Sequence, residues 1–124
     1  ISKEDVIALV AANDLELKST HNKLCFPIIV RIYKKMAIGI KFSGIKVDEN
    51  LIIDGHHRYL ASLLAGVTLE RFISVKTSAT IITDWNSIDF DEEDWDTEAK
   101  IKILNEADAQ YNNMSVEKIS KQLE

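Results

Sequence analysis

The segment at positions 51–62 reads Leu51-Ile52-Ile53-Asp54-Gly55-His56-His57-Arg58-Tyr59-Leu60-Ala61-Ser62. Its first three residues form a short apolar run, which is typical of a buried strand. Asp54-Gly55 is turn chemistry, because glycine adopts backbone conformations that other residues avoid. From His56 onward the apolar residues recur at helical spacing, and Gly66 suits the end of a helix. The stretch therefore predicts a buried strand that turns directly into a helix.

The flanking segments predict further elements by the same reasoning. They are a helix capped by Ser2, a short strand at 15–17, a polar loop at 19–23, a helix from Pro27 to a break at Gly44, a strand at 45–47 in a hairpin with 51–53, a strand at 71–77, and helices around 99–107 and after Ser115. This order predicts a single α/β or α+β domain over residues 1–124, with a small sheet flanked by helices. Its core would span about residues 1–82, followed by an acidic helical extension over about 83–124.

Composition excludes several classes of protein. The 124 residues are 46% hydrophobic and 28% charged, with a formal net charge of -5 and a single Cys25. An internal disulfide and a thiolate-rich metal site are therefore excluded, and no apolar run is long enough to span a bilayer. The nine Lys and Arg of residues 1–58 exceed their seven Asp and Glu, whereas residues 59–124 carry six against thirteen. An anionic ligand is expected on the first half, and broad coating of duplex DNA is not.

Residues 54–58 combine the groups that an anion site needs. A helix start presents free N–H groups and the positive end of the helix dipole, and Gly55 lets a ligand approach the backbone. Arg58 adds a planar fork for two phosphate oxygens, and His56 and His57 are side chains able to carry a proton. We expect Gly55 and the N–H groups to hold phosphate and Arg58 to neutralise its charge. His57 would then be the general acid or base. Asp54 or His56 would orient either His57 or a metal-bound water.

Plainer interpretations stay open beside this one. Asp54 would cap the helix, and one of the adjacent histidines would only be packed, since neighbours in a helix point about 100° apart. Adjacent histidines are also poor ligand spacing for zinc. His21, in a polar loop, would be a third ligand, a proton carrier or simply solvated.

Two charged runs add further candidates for the site. The basic residues Arg31, Lys34, Lys35 and Lys41 would flank a bound polyphosphate or form solvated surface, and we count Lys35 and Lys41 as ligand-binding candidates. The acid run at 91–96 would form a solvated loop in which Asp94 or Asp96 caps the next helix, with divalent cation binding as the alternative.

The stretch from Ile53 to Ser62 resembles the signature of the ParB/sulfiredoxin superfamily. Sulfiredoxin-like members read Gly-Cys-His-Arg there, so Gly55, His57 and Arg58 match, while His56 replaces the thiol and argues against sulfinic-acid repair. The Gly-Glu-Arg-Arg box of ParB-type nucleotide-binding domains matches at Gly55 and Arg58 alone. Related serine kinases have an Asp-Gly-x-His-Arg-like form, which also matches Asp54.

Residues 46–62 together with 90–97, 100–101 and 104–106 resemble ParB-like domains at the C-termini of bacterial polymorphic toxins. That resemblance covers most of the chain from Pro27 onward. It implies a ParB/sulfiredoxin-like sheet and an effector that acts in the cytoplasm after delivery as a fragment of a larger secreted protein. It also implies a cognate immunity protein, which would bind the acidic tail.

The residues and the resemblance together predict an enzyme that transfers or hydrolyses a phosphoryl group of a nucleotide or a nucleic-acid end, such as a nuclease, nucleotidase or phosphotransferase. A divalent cation such as Mg²⁺ would be its cofactor. The alternative is a ParB-like nucleotide-binding switch or protein-interaction module that does not turn its ligand over. Because one superfamily hosts several chemistries, the resemblance alone does not select between them.

Overall fold

A computed structural model of the chain describes residues 1–77 and 79–124. The elements are α1 (Lys3–Val10), β1 (Lys23–Cys25), α2 (Phe26–Ala37), β2 (Ile45–Asp48), β3 (Leu51–Asp54), α3 (His56–Ala65), β4 (Arg71–Ile73), β5 (Asp89–Asp91), α4 (Glu98–Tyr111) and α5 (Val116–Leu123). They form a mixed α/β fold, as the sequence predicts. None of the helices in the described residues has the length and apolar character needed to cross a membrane.

The strands form two small sheets. β2 and β3 make the predicted antiparallel hairpin, and β4 lies parallel to β2 on its other side, which gives the order β3-β2-β4. β1 and β5 pair in parallel, although 63 positions separate Cys25 from Asp89 in the sequence. The second pairing brings the acidic half of the chain alongside the start of α2.

The main core lies between the hairpin and helices α1, α2 and α3. Its most deeply buried large side chains include Leu24, Ile29, Ile52, Leu60 and Trp85. The indole N–H of Trp85 donates to the carbonyl of Leu17 at 2.8 Å, which satisfies its polar atom inside the core. Because Trp85 and Phe90 belong to this core, the core extends past its predicted end at about residue 82. Ala109 of α4 and Ile119 of α5 form a second, smaller cluster with Ile40.

Several predicted boundaries are confirmed at their caps. Ser2 and Asp5 form a reciprocal capping box at α1, and Ser115 accepts a hydrogen bond from the Lys118 N–H at the start of α5. Gly66 ends α3 in the left-handed conformation.

Other predictions were wrong at the level of single elements. Residues 15–17 form no strand, whereas residues 23–25 form β1, of which the prediction assigned only Lys23, to a loop. Helix α2 ends at Ala37, followed by Gly39 at φ +88°, and not at Gly44. Strand β4 covers only the first three residues of the predicted 71–77. Helix α4 is capped by Thr97, whose side chain accepts from the Lys100 N–H, and not by Asp94 or Asp96.

Candidate anion-binding cavity

A cavity of about 510 Å³ opens between α2, the start of α3 and α4. All eight residues that the sequence predicts for the site contribute to its wall: His21, Lys35, Lys41, Asp54, Gly55, His56, His57 and Arg58. They come from a loop, a helix, the segment after that helix and the turn between β3 and α3. Its volume falls in the range of small-molecule sites, which are commonly about 300–1,000 Å³.

The turn that begins α3 leaves its first N–H groups available to a ligand. Gly55 is the N-cap at φ +104°, and no side chain caps the helix, so Asp54 does not have the capping role considered above. A Cβ at Gly55 would lie 2.6 Å from Ile45 Cγ2 and 2.9 Å from Arg58 Nη2. Glycine is thus required both by the backbone conformation and by the side chains packed against the turn.

Arg58 is held beside this turn with donors to spare. Its Nη1 donates to Ser43 Oγ at 3.2 Å, and its Nη2 lies 3.7 Å from a carboxylate oxygen of Asp54. Its Nε is buried and has no hydrogen-bond partner among the described residues. The Arg58 side chain is 23% exposed, whereas that of Asp54 is 68% exposed. The guanidinium is therefore held in place while some of its N–H donors have no partner in the described residues.

His56 is buried in the wall of the cavity as a neutral ring. Its Nε2 accepts a hydrogen bond from the Thr20 N–H at 3.0 Å, and the ring stacks on His21 with centroids 4.0 Å apart. Burial, with the nearby His21 and His57, lowers the pKa of His56 to about 3. Since Nε2 is the acceptor, the proton is on Nδ1, and this buried donor has no partner among the described residues.

His57 is fixed by a different element. Its Nε2 accepts from the Cys25 N–H at 2.9 Å, and its ring packs against Trp95 in a T-shaped arrangement. Burial and the neighbouring His21 lower the pKa of His57 to about 4, with Asp96 acting in the opposite direction. The lone pair that a general base would use is engaged by the backbone, and Cys25, not Asp54 or His56, orients the ring. Hydrogen bonding through Nδ1 is the role that this geometry leaves to His57.

Two of the three basic residues of α2, Arg31 and Lys35, are paired with carboxylates and do not form solvated surface, whereas Lys34 has no ion pair in the described residues. Arg31 bonds both Asp94 and Asp96, and the Lys35 Nζ lies 2.6 Å from Asp108 Oδ2, with Lys35 only 4% exposed. The hydrogen bond from Arg31 lowers the pKa of Asp94. The acid run is thus folded onto α2 through Asp94 and Asp96.

Lys41 differs from these two cations. Its side chain is exposed, while its backbone is held by Asn112 of the α4 C-terminus, through an N–H···Oδ1 bond of 2.6 Å and an Nδ2–H···O bond of 3.0 Å. Because the Lys41 ammonium forms no ion pair within residues 1–77 and 79–124, it can approach an anion in the cavity.

The sequence analysis missed the apolar wall of the cavity. It consists of Ile28, Ile32, Phe42, Leu104, Ala107 and Tyr111. The α4 members recur at spacings of three and four, and this period predicts one face of a helix without indicating a ligand. A wall of this kind beside cations suits a ligand with both an organic and an anionic part.

In the chain as described, without residue 78, no three His, Cys, Asp or Glu side chains form a group that could hold a metal ion. No protein-family model, curated protein or solved structure matches this chain.

Proposed function

We propose that this protein binds a phosphate-bearing ligand of nucleotide size in the cavity and acts on its phosphoryl group. One observation carries the proposal: the uncapped N-terminus of α3, Arg58 and Lys41 line the same cavity as an apolar wall. The wall thus carries both positive donors and apolar side chains. That combination fits a phosphate joined to a nucleoside or a similar organic group.

Apart from Lys41, the donors proposed for the phosphate all belong to the first turn of α3. The first N–H groups of α3 have no acceptor within the helix, and the helix dipole favours an anion there. Arg58 offers its guanidinium from the same turn, and its Nε has no competing partner in the described chain. The protonated Nδ1 of His56 is a further unpaired donor in the cavity wall. A phosphate oxygen satisfies a buried donor that the protein itself leaves unpaired.

The reactive step is assigned to Asp54 and not to His57. The Asp54 carboxylate is at the C-terminal end of β3, is mostly exposed and lines the cavity beside Arg58. It accepts the proton of an attacking water or hydroxyl, whose oxygen bonds to phosphorus as the P–O bond to the leaving alkoxide or phosphate breaks, and Arg58 stabilises the charge of the transferred group. If the reaction uses Mg²⁺, Asp54 and the ligand's phosphates are its available ligands, because Mg²⁺ commonly binds one or two carboxylates together with phosphate oxygens.

Binding without turnover is the second candidate, and a specific observation favours it. His56 and His57 both use Nε2 to accept backbone hydrogen bonds, and burial keeps the pKa of each well below neutrality. Neither ring takes up a proton near pH 7 in this arrangement. A nucleotide-dependent switch needs only the binding part of the site, and the neutral histidines suit that purpose.

The resemblance to ParB/sulfiredoxin proteins supports ligand binding at Gly55 and Arg58, and its toxin branch supports a role in competition between bacteria. The proposed role in bacterial competition is tested by expressing the chain in the bacterial cytoplasm. Growth arrest that Arg58→Ala relieves would support a toxin, and normal growth with folded wild-type protein would contradict it.

A panel titration tests the proposed function. Calorimetry with inorganic phosphate, nucleoside mono-, di- and triphosphates and a 5′-phosphorylated oligonucleotide measures binding, and chromatography of the incubated mixtures measures product, with and without Mg²⁺. Saturable binding with product supports the enzyme, and saturable binding without product supports the switch. No binding by any member of the panel would contradict both.

A further inference from the structure

Strand β4 ends its sheet and leaves one edge open. The Glu70 carbonyl and the Ser74 N–H bond to β2, at 2.8 and 2.9 Å. Because successive residues of a strand direct their hydrogen-bonding groups to opposite sides, those of Arg71 and Ile73 point away from β2. Within the part of the chain that the structure describes, no strand pairs with this side. An open edge of this kind is a template for another strand.

The exposed edge is also strongly apolar. Ile73 is 92% exposed and Val75 is 80% exposed. Ile73 is in register with Val47 of β2, which is buried in the core, so both side chains belong to the same face of the sheet. The apolar face that the helices cover at Val47 thus continues past them onto β4.

We propose that β4 pairs antiparallel with β4 of a second copy of this chain, about a two-fold axis at Ile73. The N–H and C=O of Ile73 point outward, so the two Ile73 residues form a hydrogen-bonded pair across the axis. In the same register, Glu70 of each copy lies opposite Lys76 of the other copy, which gives two such pairs. Neither residue forms an ion pair within residues 1–77 and 79–124.

The charged residues favour this register over the registers with the two-fold axis two residues earlier or later. An axis at Arg71 would place two arginines directly opposite one another, which is unfavourable. An axis at Val75 would place Lys76 opposite Ser74 and would lose both Glu70 pairs. The Ile73 axis alone of these three joins opposite charges on both sides of an apolar centre, and it gives the isologous contact of a symmetric dimer.

Sedimentation equilibrium of the full chain tests the pairing through its charges. The wild type is expected to dimerise reversibly in the micromolar to millimolar range. Glu70→Lys and Lys76→Glu should each raise the dissociation constant roughly tenfold, because each turns two attractive cross-strand pairs into repulsive ones. The double variant Glu70→Lys/Lys76→Glu should restore the wild-type constant. A monomer at every concentration, or swaps without effect on a dimer, would overturn the proposal.

Ile73→Pro gives an independent test. The Ile73 N–H points away from β2, so proline removes an outward donor without breaking a β2–β4 hydrogen bond, and edge strands tolerate proline. The variant should be monomeric with an unchanged circular dichroism spectrum. A folded Ile73→Pro protein that dimerises as tightly as the wild type would overturn the proposal. If the variant is unfolded, the charge-swap series decides the matter.

Discussion

The ammonium of Lys35 lies 2.6 Å from the carboxylate of Asp108 in the wall of the cavity, and this contact joins the basic helix α2 to the acidic helix α4. Lys35 is buried, so the pair is shielded from solvent more than a surface ion pair. Asp108 neutralises a cation that would otherwise be available to a phosphate. We therefore expect the carboxylates of the C-terminal segment to affect ligand affinity as well as stability.

Asp108→Asn should raise the affinity for a phosphate-bearing ligand severalfold, because Lys35 then faces the cavity with its charge uncompensated. The same change should lower the free energy of unfolding by about 1–3 kcal/mol, since a charge-assisted hydrogen bond is weakened. Calorimetric titration and urea unfolding measure the two effects. Glu106→Gln, an exposed α4 carboxylate outside the cavity wall, is the charge-matched control. Unchanged or weaker binding by Asp108→Asn would contradict this account of the pair.

Stability should fall on the acidic side of neutrality because two histidines are buried uncharged. The folded-state pKa values of His56 and His57 are about 3 and about 4, whereas histidine in an unfolded chain has a pKa near 6.5. Between roughly pH 4 and 6.5 the unfolded state binds more protons. The free energy of unfolding that the two neutral rings contribute is therefore fully present above pH 6.5 and is lost as the pH falls through that window. The free energy of unfolding should fall by up to about 2.7 kcal/mol per pH unit for both rings together.

Urea unfolding at a series of pH values between 4.5 and 7.5 measures that slope. His57→Gln should roughly halve it whatever its effect at pH 7.5, because one of the two titrating groups is removed. A free energy of unfolding that is flat across this range in the wild type would show that the rings are not buried as neutral acceptors.

Gly55→Ala should destabilise the fold more than Gly39→Ala. Both glycines have positive φ, +104° and +88°, which costs another residue about 1–2 kcal/mol. A Cβ at Gly39 meets nothing within 4 Å, whereas one at Gly55 meets Ile45 and Arg58. Thermal unfolding of the two variants isolates the cost of that contact, expected to add about 1 kcal/mol or more. Equal destabilisation would contradict the close packing at the turn.

The unit from β2 to α3 was predictable because its signals are local. Alternation, an Asp-Gly turn and the helical spacing after His56 all lie within twenty residues, and the structure confirms the hairpin and the helix. All eight predicted site residues also line the cavity, and five of them, residues 54–58, are consecutive in the sequence.

The remaining features depend on contacts between distant segments. Strands β1 and β5 have three residues each, too few for a recognisable period, and each is defined by pairing with the other. The sequence shows that Arg31 and Lys35 are cations, and only the fold shows that Asp96 and Asp108 reach them. In the same way, only the fold shows that the N–H groups of Thr20 and Cys25 occupy the acceptor atoms of His56 and His57.

Asp54→Asn should separate binding from turnover. The substitution preserves size and removes the carboxylate that accepts the proton, so product formation should fall roughly a hundredfold or more while the dissociation constant changes little. Asp89→Asn, an exposed residue outside the cavity wall, is the matched control. Wild-type turnover by Asp54→Asn would exclude Asp54 as the base.

We propose that the cavity binds phosphate through Arg58 and the start of α3. A calorimetric comparison of Arg58→Ala with the wild type is the decisive test of this claim. Arg71→Ala is the control, because Arg71 is an exposed arginine paired with Glu16 away from the cavity. With the tightest ligand of the nucleotide panel, Arg58→Ala should lose at least about tenfold in affinity, roughly 1.4 kcal/mol, while Arg71→Ala binds like the wild type. Equal affinities in all three folded proteins would contradict the claim.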